Sequence, residues 1–404
     1  MTSLDPQAPR EDIRLRGFSR RVPVEQALAW VDAHAPRLGA EPIGAGEAAG
    51  RVPAAPVEAA ADLPPVDRAA EDGYALRSSE TVGAGAYNPL RFGLQEGGAP
   101  LPLASAALVA AGAALPEGAD AVLPFGAAQL EGSVLEVVGA VAAGAGVERR
   151  GRELRAGTAI IGSARPLRAA DLGMLAVLGV EHLDVVRRPR VRLVIAGPKR
   201  PGRLAGAPGD AAGPELRALV ARDGGVVESV VPGVEGRSAI SAAMVAPGAD
   251  VVLVAGRAGA GPDDEAPLAL AEAGRLAIHG LALRPGGSAG LGLVGSLPVV
   301  LLPGDPLACL CAYEIVCGRL LRRLGGRDPG LPHAVREAEV GRKLVSAVGF
   351  LDVCQVRLDG GLAEQIGSVQ DGGLASAVRA DGFVLIPPSL EGHAPGARVT
   401  VHLY

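Results

Sequence analysis

Near the start of the chain, apolar residues fall at Val24, Ala27, Leu28 and Val31 with Trp30 beside them, close to the spacing of one helix face, and this predicts helical structure between about residues 17 and 50. From about residue 51 to 146 the pattern changes to short Val and Ala runs cut by Gly and Pro, the mark of a β-rich domain. A second apolar-faced helix is expected over Arg165–Val180. Strands and helices then alternate from about 188 to 329. Val191–Ala196, interrupted only by Arg192, and Val251–Val254 are apolar runs of the kind buried on both faces of a parallel sheet, and Val299–Pro303 is a third. Between the first two, the stretch from Pro214 to Gly225 has Pro near its first turn and Gly at its end, the start and stop signals of a helix. The remainder, about 331 to 404, alternates short β runs (Val335–Val340, Phe383–Pro387, Ala397–Leu403) with Gly-rich turns and reads as a small barrel.

Composition narrows the class. At 404 residues the chain exceeds one ordinary core and is expected to form two to four domains. Hydrophobic residues make up 49%, yet they lie in short runs, and none approaches the ~18 residues of a membrane span. The charged N-terminus lacks the apolar core of a signal peptide, so the expectation is a cytoplasmic protein with no membrane partner. A net charge of -5 and the lack of basic runs flanked by aromatics argue against nucleic acid as a partner. Only Lys199 and Lys343 are lysines among 39 basic residues. Cys309, Cys311, Cys317 and Cys354 do not have the paired spacing of a zinc site, and three of them fall in one apolar helix, so buried free thiols are expected.

The segment LPPVDRAAEDGYAL, Leu63 to Leu76, joins an extended Pro-Pro approach to an acid-Gly turn that displays Asp72. It resembles LPPFDNSAMDGYAV of the molybdopterin molybdenumtransferases, the enzymes that put molybdate onto adenylylated molybdopterin, with Ala69 in place of Ser and Glu71 in place of Met. GAALPEGADAVL (Gly112–Leu123) is similar to that family's TGAPLPEGADAVV, and VVRRPRVRLVIAG (Val185–Gly197) to the strand ahead of its TGDEL. ADVVLVAG (Ala249–Gly256) is similar to DVVISSGG, and Leu283 to Ala308 to KPGKPFAFG followed by LPGNPVS. The resemblance runs in order over roughly residues 15 to 404.

The resemblance implies a multidomain α/β protein. Its parts are a helical linking domain (15–50 and 147–187), a β-rich domain (51–146), a doubly wound molybdopterin-binding α/β domain (188–329) and a C-terminal β-barrel (330–404). It also implies a homodimer whose site sets Asp72 of one chain near Asp264 and Arg284 of the other.

Site residues carry over unevenly. Asp72 matches the acid of DGYA, Glu153 takes the place of Asp in GEDI, and Asp264 aligns with the acid of SGGVSVGEADY, so these three are the catalytic candidates. Asp72 and Asp264 are also the candidate ligands of Mg²⁺, which keeps several waters beside phosphates. Gly256, Gly259 and Gly261 form a glycine loop able to bring backbone N–H groups to an anion. Within that loop the family's hydroxyls and second glycine are replaced, at Ala255, Arg257 and Gly259. Gly304 and Asp305 stand in LPGDP, where Asp305 is a natural helix N-cap ahead of Pro306 and replaces the family's Asn. Arg284 replaces one essential lysine and keeps its charge, and Ser376 lies near a C-terminal-domain serine. The other lysine positions are Gly280 and Gly287, the acid pair of TGDEL becomes Pro198–Lys199, and a Thr becomes Ala111.

Two functional readings stay open on this sequence. One is an enzyme of molybdenum cofactor biosynthesis that binds adenylylated molybdopterin and inserts molybdate. The other is a non-catalytic protein that binds molybdopterin or the finished cofactor, with a molybdoenzyme or another cofactor-biosynthesis protein as partner. A nucleotide hydrolase is disfavoured, since the chain has neither GxxxxGK[ST] nor a nucleophile elbow.

Overall fold

The computed structural model describes residues 12–95, 99–198, 211–367 and 373–404. The chain divides into two compact units, one made of Met1–Ala54, Ala164–Arg168 and Leu183–Tyr404, the other of Ala55–Ser163 and Ala169–His182.

The larger unit is built on a six-stranded sheet in the order Val226–Val234, Arg190–Ala196, Val251–Ala255, Leu297–Leu302, Gly290–Val294 and Arg275–His279. The first four strands are parallel, and Gly290–Val294 runs antiparallel to both neighbours. The apolar runs have the expected consequence: alternate residues feed two cores. Val191, Leu193 and Leu253 point to one face with Leu216 and Val220 of the helix Ala212–Arg222, while Val194, Val252 and Val254 meet Ile240 and Met244 of Arg237–Val245 on the other. Helices thus cover both faces, which is the doubly wound arrangement.

The helix at Pro306 begins as its sequence demands. Asp305 is the N-cap, and its Oδ1 accepts from the N–H of Ala308 at 2.9 Å. This helix runs through a wide π turn, Tyr313–Cys317, in which Gly318 N–H reaches back five residues to the Tyr313 carbonyl, and continues as Gly318–Leu324. All four cysteines are buried, and none forms a disulfide. Beside the π turn Asp223, fully buried, is held by Arg322 at 2.8 Å, and Glu314 by Arg222 and by His333 at 3.1 Å.

The C-terminal strands Val335–Val340, Leu351–Asp359, Leu362–Gln365, Gly382–Ile386 and Arg398–Leu403 close into a five-stranded barrel, because Leu351–Asp359 pairs with both Leu362–Gln365 and Gly382–Ile386. Inward residues such as Val340, Val356, Val384 and Val401 fill it.

Two helical expectations are shortened. The first helix covers only Val24–His34, and a strand, Ala40–Gly44, and a 3₁₀ turn, Ala45–Glu47, replace the rest of the segment to 50. Pro36 accounts for the stop, since the residue before a proline is pushed out of the α region, and Ala35 has φ -119° and ψ 67°. The second helix is Ala169–Val177, not Arg165–Val180. It ends in a Schellman pattern, Val180 N–H to Leu175 O and Gly179 N–H to Ala176 O, with Gly179 at φ +70°.

The smaller unit carries a curled six-stranded sheet, in the order Ala121–Pro124, Gly73–Leu76, Ser105–Val109, Leu90–Gln95, Val134–Val137 and Ala128–Glu131. Tyr74, Leu76, Phe92, Leu123 and Leu135 form its core.

Candidate functional site

In the smaller unit the Asp72 turn is fixed by its backbone. Gly73 lies so close to the strand Ala121–Pro124 that a Cβ there would run into the Leu123 carbonyl, so only glycine fits. Asp72 itself is exposed, and its Oδ1 accepts from the N–H of Ala111 at 2.8 Å. The position that lacks a hydroxyl therefore still holds the acid through its main chain.

The approach to this turn is pinned by acids that sequence reasoning missed. Asp62 accepts from Ala156 N–H at 3.0 Å and Arg150 Nε at 2.6 Å, and Asp67 from Arg150 N–H at 2.8 Å and Arg149 Nη1 at 2.6 Å. The backbone donors first, and the guanidinium groups second, hold both carboxyls below the usual carboxylate range. The signal available was the basic run at Arg149–Arg150 and Arg152, but its partners lie more than 80 positions away. Glu153 is exposed, and its N–H is bonded to the Leu63 carbonyl at 3.0 Å.

In the larger unit Gly256, Gly259, Gly261 and Asp264 share one loop at the end of the strand Val251–Ala255. Gly256 has φ +94°, and a Cβ there would meet the Ala196 carbonyl. The reason for Gly259 and Gly261 is the acid: a Cβ on either would stand 2.6 or 3.0 Å from Asp264 Oδ2, which accepts from Gly261 N–H at 2.6 Å. Asp264 thus organises the loop from inside it. Arg257, in a left-handed conformation at φ +55°, pairs with Asp263 at 3.2 Å. Gly304 packs against this loop, 3.4 Å separating a Cβ built on it from Gly256 Cα, and brings Asp305 alongside.

Other candidates have local employment. Arg284 Nε donates to Asp352 Oδ1 at 2.8 Å and Nη2 to Oδ2, and the guanidinium lies 5.0 Å from the Phe350 ring centroid. Asp352 is fully buried and also accepts from Ser346 Oγ at 2.8 Å. This leaves Nη1 as the remaining donor of Arg284. Ser376, buried in the helix Gly373–Arg379, donates to the Gly373 carbonyl at 2.7 Å. Lys199 lies outside the described residues. Gly280 and Gly287 are covered by the segment ahead of the first helix: a Cβ at Gly280 would strike the Phe18 ring, and one at Gly287 would strike Arg21 Nη1, which donates to the Gly287 carbonyl and to that of Leu281 at 3.3 Å. Among the described residues no group of three or more His, Cys, Asp or Glu gathers as a metal site.

Glu215, in the first turn of Ala212–Arg222, was not anticipated. Both its carboxylate oxygens are buried without a hydrogen-bond partner among the described residues. Burial first, then the charges of Asp305 and Glu314, push its pKa up to about 7 from 4.5. The folded state therefore holds a proton that the unfolded state gives up, so stability falls as pH rises from 4.5 through 7. The full shift is worth about 3 kcal/mol, and partial solvent access reduces that to roughly 1–2 kcal/mol. Glu215→Gln is expected to be the more stable protein at pH 8 by this amount, with no advantage at pH 4.5. Urea unfolding at the two pH values checks it, and equal differences at both would refute it.

Three family models match successive stretches of the chain. Residues 22–179 match the MoeA N-terminal region (domain I and II), 197–323 a probable molybdopterin binding domain, and 337–404 the MoeA C-terminal region (domain IV). The chain is 28% identical to molybdopterin molybdenumtransferase 2 of Mycobacterium tuberculosis over 88% of this chain and 93% of that protein. It is 25% identical to a putative molybdopterin biosynthesis protein of Methanocaldococcus jannaschii, over 88% and 90%. A crystal structure of a molybdopterin biosynthesis MoeA protein from Pyrococcus horikoshii superposes with TM-score 0.81 at 28% identity, covering 95% of this chain and 99% of the other.

Proposed function

The chain belongs to the MoeA family and has a role in molybdenum cofactor biosynthesis, and from that membership we propose that it is a molybdopterin molybdenumtransferase that inserts molybdate into adenylylated molybdopterin. The observation that carries the proposal is the Asp72 turn. Its acid is exposed, its backbone position admits only glycine next to it, and Ala111 N–H keeps the carboxylate in place.

In this reading the glycine loop at 256–261 faces the ligand; Asp264 holds the Gly261 N–H and Asp305 caps its own helix, so backbone N–H groups elsewhere in the loop are the donors offered to an anion. The exposed Asp72, with waters, suits Mg²⁺, which binds through one or two carboxylates and needs no closed protein cage. When bound, it supplies charge neutralisation at the phosphates. In the smaller unit Asp72 and Glu153, both exposed, offer carboxylates, and in the larger unit Arg284 offers Nη1 to a phosphate oxygen. A homodimer and a cytoplasmic location are part of the same proposal. No helix among the described residues is long and apolar enough to cross a membrane. A purely carrier role is disfavoured, as a relative matching 88% of the chain bears a transferase name.

The test supplies purified protein with adenylylated molybdopterin, molybdate and Mg²⁺, and follows adenylate release together with metal in the pterin. Release is expected, at a rate below that of a family member with the full motif, because Gly280 offers no cation and Ala111 no hydroxyl toward developing charge. Pterin binding without any release would reduce the protein to a carrier, and absence of pterin binding would sink both readings.

A further inference from the structure

Resting on that reading, we propose that Arg21, contributed by the segment ahead of the first helix, is the residue through which this chain binds a tetrahedral oxyanion. Arg21 is half-buried, and among the described residues no carboxylate lies within ion-pair distance of it. Its neighbours in the same unit behave otherwise: Arg284 is neutralised by Asp352, Arg222 by Glu314 and Arg322 by Asp223. Arg192 also lacks a carboxylate, but all three of its nitrogens are taken by Ser229 and by the carbonyls of Ala246 and Pro247. Arg21 spends only Nη1, on the carbonyls of Leu281 and Gly287. Nε and Nη2 bond to nothing among the described residues and are not among the buried unpartnered atoms, which leaves them as a pair of donors for a ligand. A guanidinium offers such a pair to phosphate-like oxygens in a bidentate fork.

The guanidinium is also held in place. Its carbon lies 4.6 Å from the centroid of the Phe18 ring, a cation–π contact that fixes its plane. The segment itself is tied to the glycine loop, with Leu15 N–H bonded to the Ala260 carbonyl at 2.8 Å and Val22 N–H to the Gly280 carbonyl at 2.9 Å. On the other side stands the bare turn Gly286–Gly287, packed against the helix that Asp305 caps, since a Cβ on Gly286 would lie 3.3 Å from the Ala308 carbonyl. The result is a charged fork beside a turn without side chains.

The glycine at 287 and the arginine at 21 exclude each other's alternatives. Arg21 Nη1 occupies the space into which a side chain at 287 would project, and the Phe18 ring does the same at 280. The cation missing from the turn is thereby replaced from another part of the chain. Gly287 has no left-handed φ, and the nearest atoms that a side chain there would meet are those of Arg21, with the Leu283 carbonyl at 3.1 Å. Removing Arg21 makes room for it.

The oxyanion has two sources in the proposed reaction, the phosphate of the pterin and molybdate. Calorimetric titration of the full chain with adenylylated molybdopterin and, separately, with sodium molybdate distinguishes them. Arg21→Gln keeps the stem against Phe18 and removes the charge; it is expected to weaken at least one of the two ligands by roughly 10- to 100-fold, and the ligand affected identifies the source. The double variant Arg21→Ala with Gly287→Lys is expected to recover most of that loss, and thermal melting of each variant verifies folding. Unchanged affinity of Arg21→Gln for both ligands would overturn the proposal, as would a folded double variant that recovers nothing. Wild-type protein that does not bind the pterin refutes the function itself, whereas pterin binding indifferent to Arg21 refutes only this inference.

Discussion

Arg284→Ala is expected to lower the unfolding free energy by about 3–5 kcal/mol, the cost of leaving a buried charge without its partner. Asp352 is fully buried, and without the two guanidinium donors only Ser346 Oγ would remain on it. The loss arises from the orphaned carboxylate and not from the value of the pair itself. Replacing both ends, Arg284→Met with Asp352→Leu, is therefore expected to restore most of the stability, since a packed apolar pair is often neutral against a buried ion pair. Urea unfolding of the single and double variants is the measurement. A single variant that loses less than about 1 kcal/mol would show that Asp352 finds water, and the clamp between the 283–284 strand and the barrel would lose its energetic basis.

The second large effect is on rate. Asp72→Ala is expected to slow molybdate-dependent adenylate release by roughly 10²-fold or more, the scale of losing one group that acts on transition-state charge. Its cost in stability should stay below about 1 kcal/mol, because the carboxylate is exposed and its one bond, to Ala111 N–H, is at the surface. Asp72→Asn separates the two roles. The amide oxygen still accepts from Ala111, while the negative charge is gone. An Asn variant as slow as the Ala variant assigns the effect to charge. Wild-type rates in both would remove Asp72 from the reaction.

What was legible in the sequence was what local chemistry dictates. The runs Val191–Ala196 and Val251–Val254 became central strands because apolar residues on both faces of such a run find cover, with Val191–Val194 and all of Val251–Val254 buried. Asp305 and Pro306 gave a helix start that depends on three consecutive residues alone. The first helix shows a weaker signal: its apolar spacing ends at Val31, and Pro36 stops it well short of residue 50. The site was legible mainly as an ordered series of turns. Its side-chain partnerships were not, because Arg284 and Asp352 stand 68 positions apart, and nothing near Arg284 announces that its charge is spent. Likewise, the glycines at 259 and 261 read as room for a ligand, but the structure fills that room with the Asp264 carboxylate. The cover over Gly280 and Gly287 comes from residues some 260 positions earlier, and no spacing rule connects them.

The π turn in the Pro306–Leu324 rod has a consequence for how the chain tolerates change in length. A regular helix turns by about 100° per residue, but the wide turn under-winds and takes up one additional residue with little change in the angular phase between the two halves of the rod. Upstream of it Cys309 and Leu310 face the sheet, and downstream Arg322 meets Asp223. Deleting any one residue between 313 and 317 would regularise the hydrogen bonds and shorten the rod by only about 1.5 Å. Because the wide turn fits five residues into nearly the angle that four span in a regular helix, both halves would keep their faces, the thiols toward the sheet and Arg322 toward Asp223. A deletion elsewhere in the rod would instead swing one half by about 100°. Within this stretch a lost residue changes length, and outside it a lost residue changes direction.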